Sequence, residues 1–171
     1  MLSAMPESLK AEHEQLRADL EQAIRIGGRI GEAAKALQSL LQPHFRREDD
    51  NVFLGLGLLQ SVAQGKVTPG MHELIVKAEQ LKNELPEMLA EHEQIREALE
   101  RLGQEATREG RPQVAYFAAK LLHHARLEEE VLYPAAIVLG EYLKSLLVPA
   151  GAASMSSAHV PIVSRPPEQP T

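Results

Sequence analysis

Six residues carry the chemistry open to this sequence: His13, His44, Glu48, His92, His124 and Glu128. Imidazoles and carboxylates together are the donor set of a metal site built on nitrogen and oxygen. His44 and Glu48 stand four residues apart, as do His124 and Glu128, so on a helix each pair is separated by only about 40° and shares a face. His13 falls on the stripe of Leu9, Leu16 and Leu20, and His92 on that of Leu85, Leu89, Ile95 and Leu99. Leu37 and Leu41 precede His44, and Phe117 and Leu121 precede His124. All six are therefore expected to point into an apolar interior. An unpaired glutamate charge there would cost roughly several kcal/mol, and a bound cation removes that cost.

Taken singly, a histidine on an apolar stripe is more often a satisfied core residue, and a helical glutamate is usually solvated. The six gain weight because they recur in a repeat. Ala11 to Glu21 reads AEHEQLRADLE and Ala90 to Glu100 reads AEHEQIREALE, identical at eight of eleven positions. His44 to Asp49 reads HFRRED and precedes Val52-Phe53, while His124 to Glu129 reads HARLEE and precedes Leu132-Tyr133. The offset is 79 residues between His13 and His92 and 80 between His44 and His124.

The elements that position these residues read as helices throughout. Helical spacing runs from Leu9 to Ile24, with Pro6 ahead of it and Gly27-Gly28 after it. A second pattern runs from Ile30 to Asn51 and on through a Leu-rich stretch to Val62; Pro43 inside it predicts a bend near Ser39 to Leu41. Thr68-Pro69 opens a third helix through Leu102, with a kink expected at Pro86 and a polar connection from Gly103 to Pro112. The fourth runs from Val114 toward Leu147, with a bend expected at Pro134. Two helix pairs of one pattern, joined by short connections, predict an all-α fold: an antiparallel up-down four-helix bundle with an internal two-fold pseudo-repeat over residues 1–148. Residues 149–171 hold five of the 11 prolines, several Ser and Ala, and only Arg165 and Glu168 as charges, and read as a disordered tail.

Composition narrows the function classes. The 171 residues are 44% hydrophobic but only 4% aromatic, and contain no cysteine. Disulfides, thiolate-bound iron–sulfur clusters, thiol nucleophiles and cysteine-type zinc sites are excluded. A net charge of -6 with interleaved signs argues against a nucleic-acid footprint. No run of 18 apolar residues and no signal-like start at Met1 to Ser8 are present, so no membrane association and a cytoplasmic address are expected. Glu-x-x-His, needed by ferritin-type bundles, is absent, and H-E-x-x-H is begun at His13-Glu14 and His92-Glu93 but ends in Arg17 and Arg96. The run Leu54 to Leu59 is expected in the core, and a homodimer using it is left open.

These residues resemble the hemerythrin-like, or HHE cation-binding, family, whose helices carry H, then H-x-x-x-E, then H, then H-x-x-x-E-E-x-x-L-Y/F-P. The resemblance covers about residues 7 to 147, and His124 to Pro134 matches the last element fully. It implies a non-haem di-iron centre with His13, His44, His92 and His124 as terminal ligands and Glu48 and Glu128 bridging; zinc and manganese suit the same donors. Each metal would then have about two histidines and two carboxylate oxygens, leaving one or two positions for water, hydroxide, dioxygen, peroxide or nitric oxide. The implied role is to bind, sense or detoxify such a ligand, or to buffer iron. It is a binding function first, with peroxide- or nitric-oxide-directed turnover left open. The alternative is an interaction or regulatory bundle whose metal is structural or absent.

One departure matters. Oxygen-carrying hemerythrins have H-x-x-x-H on the third helix, whereas here Arg96 follows His92, and Arg17 takes the same place in the first repeat. The missing fifth histidine counts against reversible oxygen carriage. The arginines are expected to pair with carboxylates or point outward. His123 to Glu128 and His124 to Glu129 offer a five-residue alternative, less favoured because five residues rotate by about 140° on a regular helix. Glu12 and Glu91, beside the odd-helix histidines, offer carboxylate acceptors behind an imidazole, but adjacent residues on a helix diverge and a solvated face is favoured.

Overall fold

The computed structural model describes residues 5–148, so the predicted tail lies outside the described residues. Among the described residues the protein is all-helical, with four long helical segments. The first is α1 (Glu7–Ile26). It meets α2 (Gly28–Arg47) across Gly27, with Gly27 and Gly28 at φ 75° and 56°, a left-handed conformation that suits glycine and breaks the helix within one residue. Helix α2 continues as a π-helical turn (Glu48–Val52), a 3₁₀ segment (Phe53–Leu58) and the short α3 (Leu59–Ala63). A 3₁₀ turn (Pro69–Met71) then opens α4 (His72–Arg108). The last segment is α5 (Pro112–Leu127), a second π-helical turn (Glu128–Leu132) and α6 (Tyr133–Leu147).

Pro43 and Pro86 lie inside α2 and α4 without ending them. In the second segment the departure from α-geometry falls at Glu48–Val52, beyond the bend predicted at Ser39 to Leu41. Helix α4 also outruns its predicted end at Leu102, because Leu99, Leu102 and Ala106 continue one buried face across Gly103.

The apolar interior falls into separate clusters. One gathers Leu16, Leu20, Leu37, Leu41, Ile95, Leu99, Phe117 and Leu121 among others. A second contains Leu9, Val52, Phe53, Leu56, Leu81, Met88, Tyr133 and Ala136, and a third caps it with Leu74, Ile75, Leu139 and Leu143. Each long segment leaves one cluster and enters another where its histidine stands: Leu9 and Leu16 flank His13, Leu41 and Val52 flank His44, Met88 and Ile95 flank His92, and Leu121 and Tyr133 flank His124. A polar layer thus crosses the bundle at one level. Helix α6 lies tightly on α4 where Gly140 faces Ala78; a Cβ at Gly140 would stand 2.0 Å from that of Ala78.

Candidate metal centre

The buried polar and charged side chains among the described residues are His13, His44, Glu48, His92, His124 and Glu128, each at most 2% exposed. They form one constellation. His13 Nε2 lies 3.0 Å from His124 Nε2, and His44 Nε2 lies 2.9 Å from His92 Nε2. The glutamates stand between these pairs. Glu128 Oε1 is 2.7 Å from His124 Nε2 and 3.5 Å from His13 Nε2, while its Oε2 is 3.5 Å from His92 Nε2. Glu48 Oε1 is 3.3 Å from His44 Nε2, and its Oε2 is 3.9 Å from His13 Nε2. His44, Glu48, His92 and Glu128 form one group able to hold a metal ion, and His13, His124 and Glu128 a second.

The outer nitrogens of three rings are anchored by carboxylates. His13 Nδ1 donates to Asp49 at 2.8 Å, His44 Nδ1 to Glu91 at 2.9 Å and His92 Nδ1 to Glu129 at 2.7 Å; His124 Nδ1 is 3.4 Å from Glu12. Three of these carboxylates are held in turn by arginines: Arg17 on Asp49, Arg47 on Glu91 and Arg96 on Glu129. Arg17 and Arg96 therefore take the carboxylate-pairing role, and Arg96 also bonds Glu93. For Glu91 these contacts favour the acceptor role over the solvated one, whereas Glu12, with its side chain 35% exposed, stands 3.4 Å from His124 Nδ1. Each glutamate diverges from the histidine beside it but meets a histidine on a neighbouring helix. His123 is exposed, and Glu129 serves as an outer acceptor, consistent with the four-residue pairing of His124 with Glu128.

Both π-turns begin at a site glutamate. The amide of Phe53 bonds the Glu48 carbonyl and that of Tyr133 the Glu128 carbonyl, the i→i+5 pattern that stacks residues five apart. Tyr133 is thereby carried into the centre, where its hydroxyl donates to Glu48 Oε1 at 2.5 Å and lies 3.1 Å from His92 Nε2. Regular-helix geometry would have turned it away, which is why sequence reasoning assigned it no role. The Phe45 and Phe53 rings pack on His13, at 4.5 and 5.9 Å between centroids.

Electrostatics show what the layer demands. Burial opposes the charge on Glu48, but the hydrogen bond and charge of His44, the Tyr133 hydroxyl and the charge of His13 outweigh it and hold the carboxyl down to about 2. Burial, reinforced by the charge of Glu48, pushes Glu128 up to about 8. Burial favours neutral His44, yet Glu48 and Glu91 prevail and raise it to about 9. Burial and the charge of His44 lower His92, and burial lowers His124 against the pull of Glu12 and Glu48. Burial and the surrounding carboxylates raise Tyr133, which stays a donor.

The donors fit a cation. With Nδ1 of His44 and His92 donating to carboxylates, their Nε2 atoms face each other at 2.9 Å, a place that a shared proton fills in the metal-free protein and a metal ion can take instead. Glu48 Oε2 and Glu128 Oε1 are buried with no hydrogen-bond partner. Positive charge placed among the Nε2 atoms and these oxygens satisfies all of them at once, whereas an orphaned buried acceptor costs about 1–3 kcal/mol or more.

Among the described residues no helix is long and apolar enough to cross a membrane. No curated protein and no solved structure matches the chain. The family model described as the hemerythrin HHE cation binding domain matches residues 4–136. With this match and a buried layer of histidines and glutamates able to hold metal, the chain belongs to the hemerythrin HHE cation-binding family.

Proposed function

We propose that the protein is a non-haem di-iron protein that binds, senses or detoxifies a small ligand such as dioxygen, peroxide or nitric oxide, or buffers iron. His13, His44, His92 and His124 would be the terminal ligands, with Glu48 and Glu128 shared by the two irons. The observation that carries this reading is the placement of both carboxylates between two imidazole pairs, each directing one oxygen to either side. Bound iron supplies Lewis-acid and redox chemistry at positions the protein does not fill. The chain's own residues orient and insulate. Asp49, Glu91 and Glu129 fix the ring tautomers, Tyr133 holds Glu48, and the flanking apolar clusters exclude bulk water. Arg96, placed where a fifth histidine would stand, is engaged with Glu129 and Glu93, which supports sensing or detoxification over reversible carriage.

The scaffold of this reading is an antiparallel up-down bundle with a two-fold pseudo-repeat. Two features support it. The four segments meet the first and second apolar clusters in alternating order. The repeat-related residues Asp49 and Glu129 cap the repeat-related rings of His13 and His92.

The test is anaerobic reconstitution with ferrous iron followed by stopped-flow absorption on mixing with dioxygen, hydrogen peroxide or nitric oxide. The reading expects a spectral change within the iron-loaded protein for at least one of the three. A loaded protein indifferent to all three would remove the sensing and detoxifying roles.

A further inference from the structure

The two sides of the centre are not built alike, and one of the differences traces to a single position of the repeat. On the His44 side four residues bring ligand atoms within 4.8 Å of one another; on the His13 side three do, namely His13, His124 and Glu128. The outer nitrogens differ in the same direction. His44 and His92 each have a close carboxylate, Glu91 at 2.9 Å and Glu129 at 2.7 Å, and each carboxylate is gripped by an arginine, Arg47 at 3.1 Å and Arg96 at 2.9 Å. His13 has the equivalent Asp49 and Arg17. His124 is the exception. Its Nδ1 stands 3.4 Å from Glu12 and is buried without a hydrogen-bond partner. At the 80-residue offset the counterpart of Arg47 is Leu127, an exposed leucine, and among the described residues no arginine grips Glu12.

Resting on the two-iron reading, we infer that the His44–His92 position binds metal more tightly and fills first. The His13–His124 position then fills second and gives up its metal more readily. A carboxylate behind a ligating imidazole fixes its tautomer and orientation and raises its basicity, and losing it costs about 10–100-fold in metal affinity. Arg47 acts through Glu91 and His44 and is a positioning residue.

The experiment is an anaerobic calorimetric titration of the metal-free full chain with ferrous ion, each variant first checked for native helicity. Two steps are expected, separated by about tenfold or more. Leu127→Arg should tighten the weaker step and leave the stronger one in place. Arg47→Leu should weaken the stronger step by about 10–100-fold, with Arg47→Lys recovering part of the loss. Two equal steps, or Leu127→Arg acting on the stronger step, would overturn the inference while leaving two-iron binding standing. A folded chain that takes up no ferrous ion would overturn both.

Discussion

At the scale of single residues, the centre is a set of acceptors arranged so that only positive charge satisfies them all. His44→Ala and His124→Ala each remove an Nε2 from a different imidazole pair, and each is expected to lower bound iron below that of the parent chain; full occupancy in both would remove the ligand assignment. Tyr133→Phe leaves the ring, and Phe53 shows that a phenyl group is accommodated at the equivalent place in the first repeat. Its cost should be the hydrogen bond to the Glu48 carboxylate, about 2 kcal/mol of stability in the metal-free protein, measurable by urea denaturation. No loss would mean that the hydroxyl is dispensable to the buried carboxylate. The six inward residues were legible in the sequence because helical period and repeat agreed on them. Their outer partners were not, because Glu91 serves His44 and Glu12 faces His124, contacts between helices that spacing along one helix does not reveal.

At the scale of elements, long apolar periods made the four helical segments readable, and the glycine pair at 27–28 marked the break between the first two. The two π-turns left little trace. Pro134 follows the second, but Glu48–Val52 has no proline nearby on its C-terminal side, and the Leu-rich run after it reads as continuing helix. Regular helix carried through these points would misplace the side chains beyond them, Tyr133 above all. The contact between α4 and α6 offers a test of packing. Gly140→Ala forces a Cβ against Ala78 and should destabilise the protein by about 2 kcal/mol through overpacking. Adding Ala78→Gly should return part of that loss. Two simply additive losses in thermal or urea unfolding would show that the helices do not meet there.

At the scale of the whole molecule, the polar layer links stability, protons and metal. In the metal-free protein, burial pushes Glu128 up to about 8, and Glu48 and Glu91, overcoming burial, raise His44 to about 9. Both folded values lie above their unfolded ones, so the native state binds more protons than the unfolded chain, and stability falls as pH rises. The loss is expected through the window from the unfolded carboxylate value near 4.5 up to about 9. Glu48 works oppositely: its contribution is present above 4.5 and lost as pH falls toward about 2. His92 and His124, lowered by burial, also add stability as pH rises toward 6.5, so melting temperatures of metal-free protein should decline from pH 6.5 to pH 9, and a rise over that range would contradict the linkage. Metal binding takes the place of those protons, so iron-loaded protein should melt higher than metal-free protein, most of all at the alkaline end. Equal melting temperatures with and without metal would favour a helical interaction module.

The most direct test of the account is metal content per chain, measured by inductively coupled plasma mass spectrometry on protein purified without chelator or affinity metal. The two imidazole pairs with their shared carboxylates predict close to two irons. One iron, or zinc, would keep the bundle and contradict the paired-iron chemistry, and no metal even after anaerobic reconstitution with ferrous iron would contradict the centre itself.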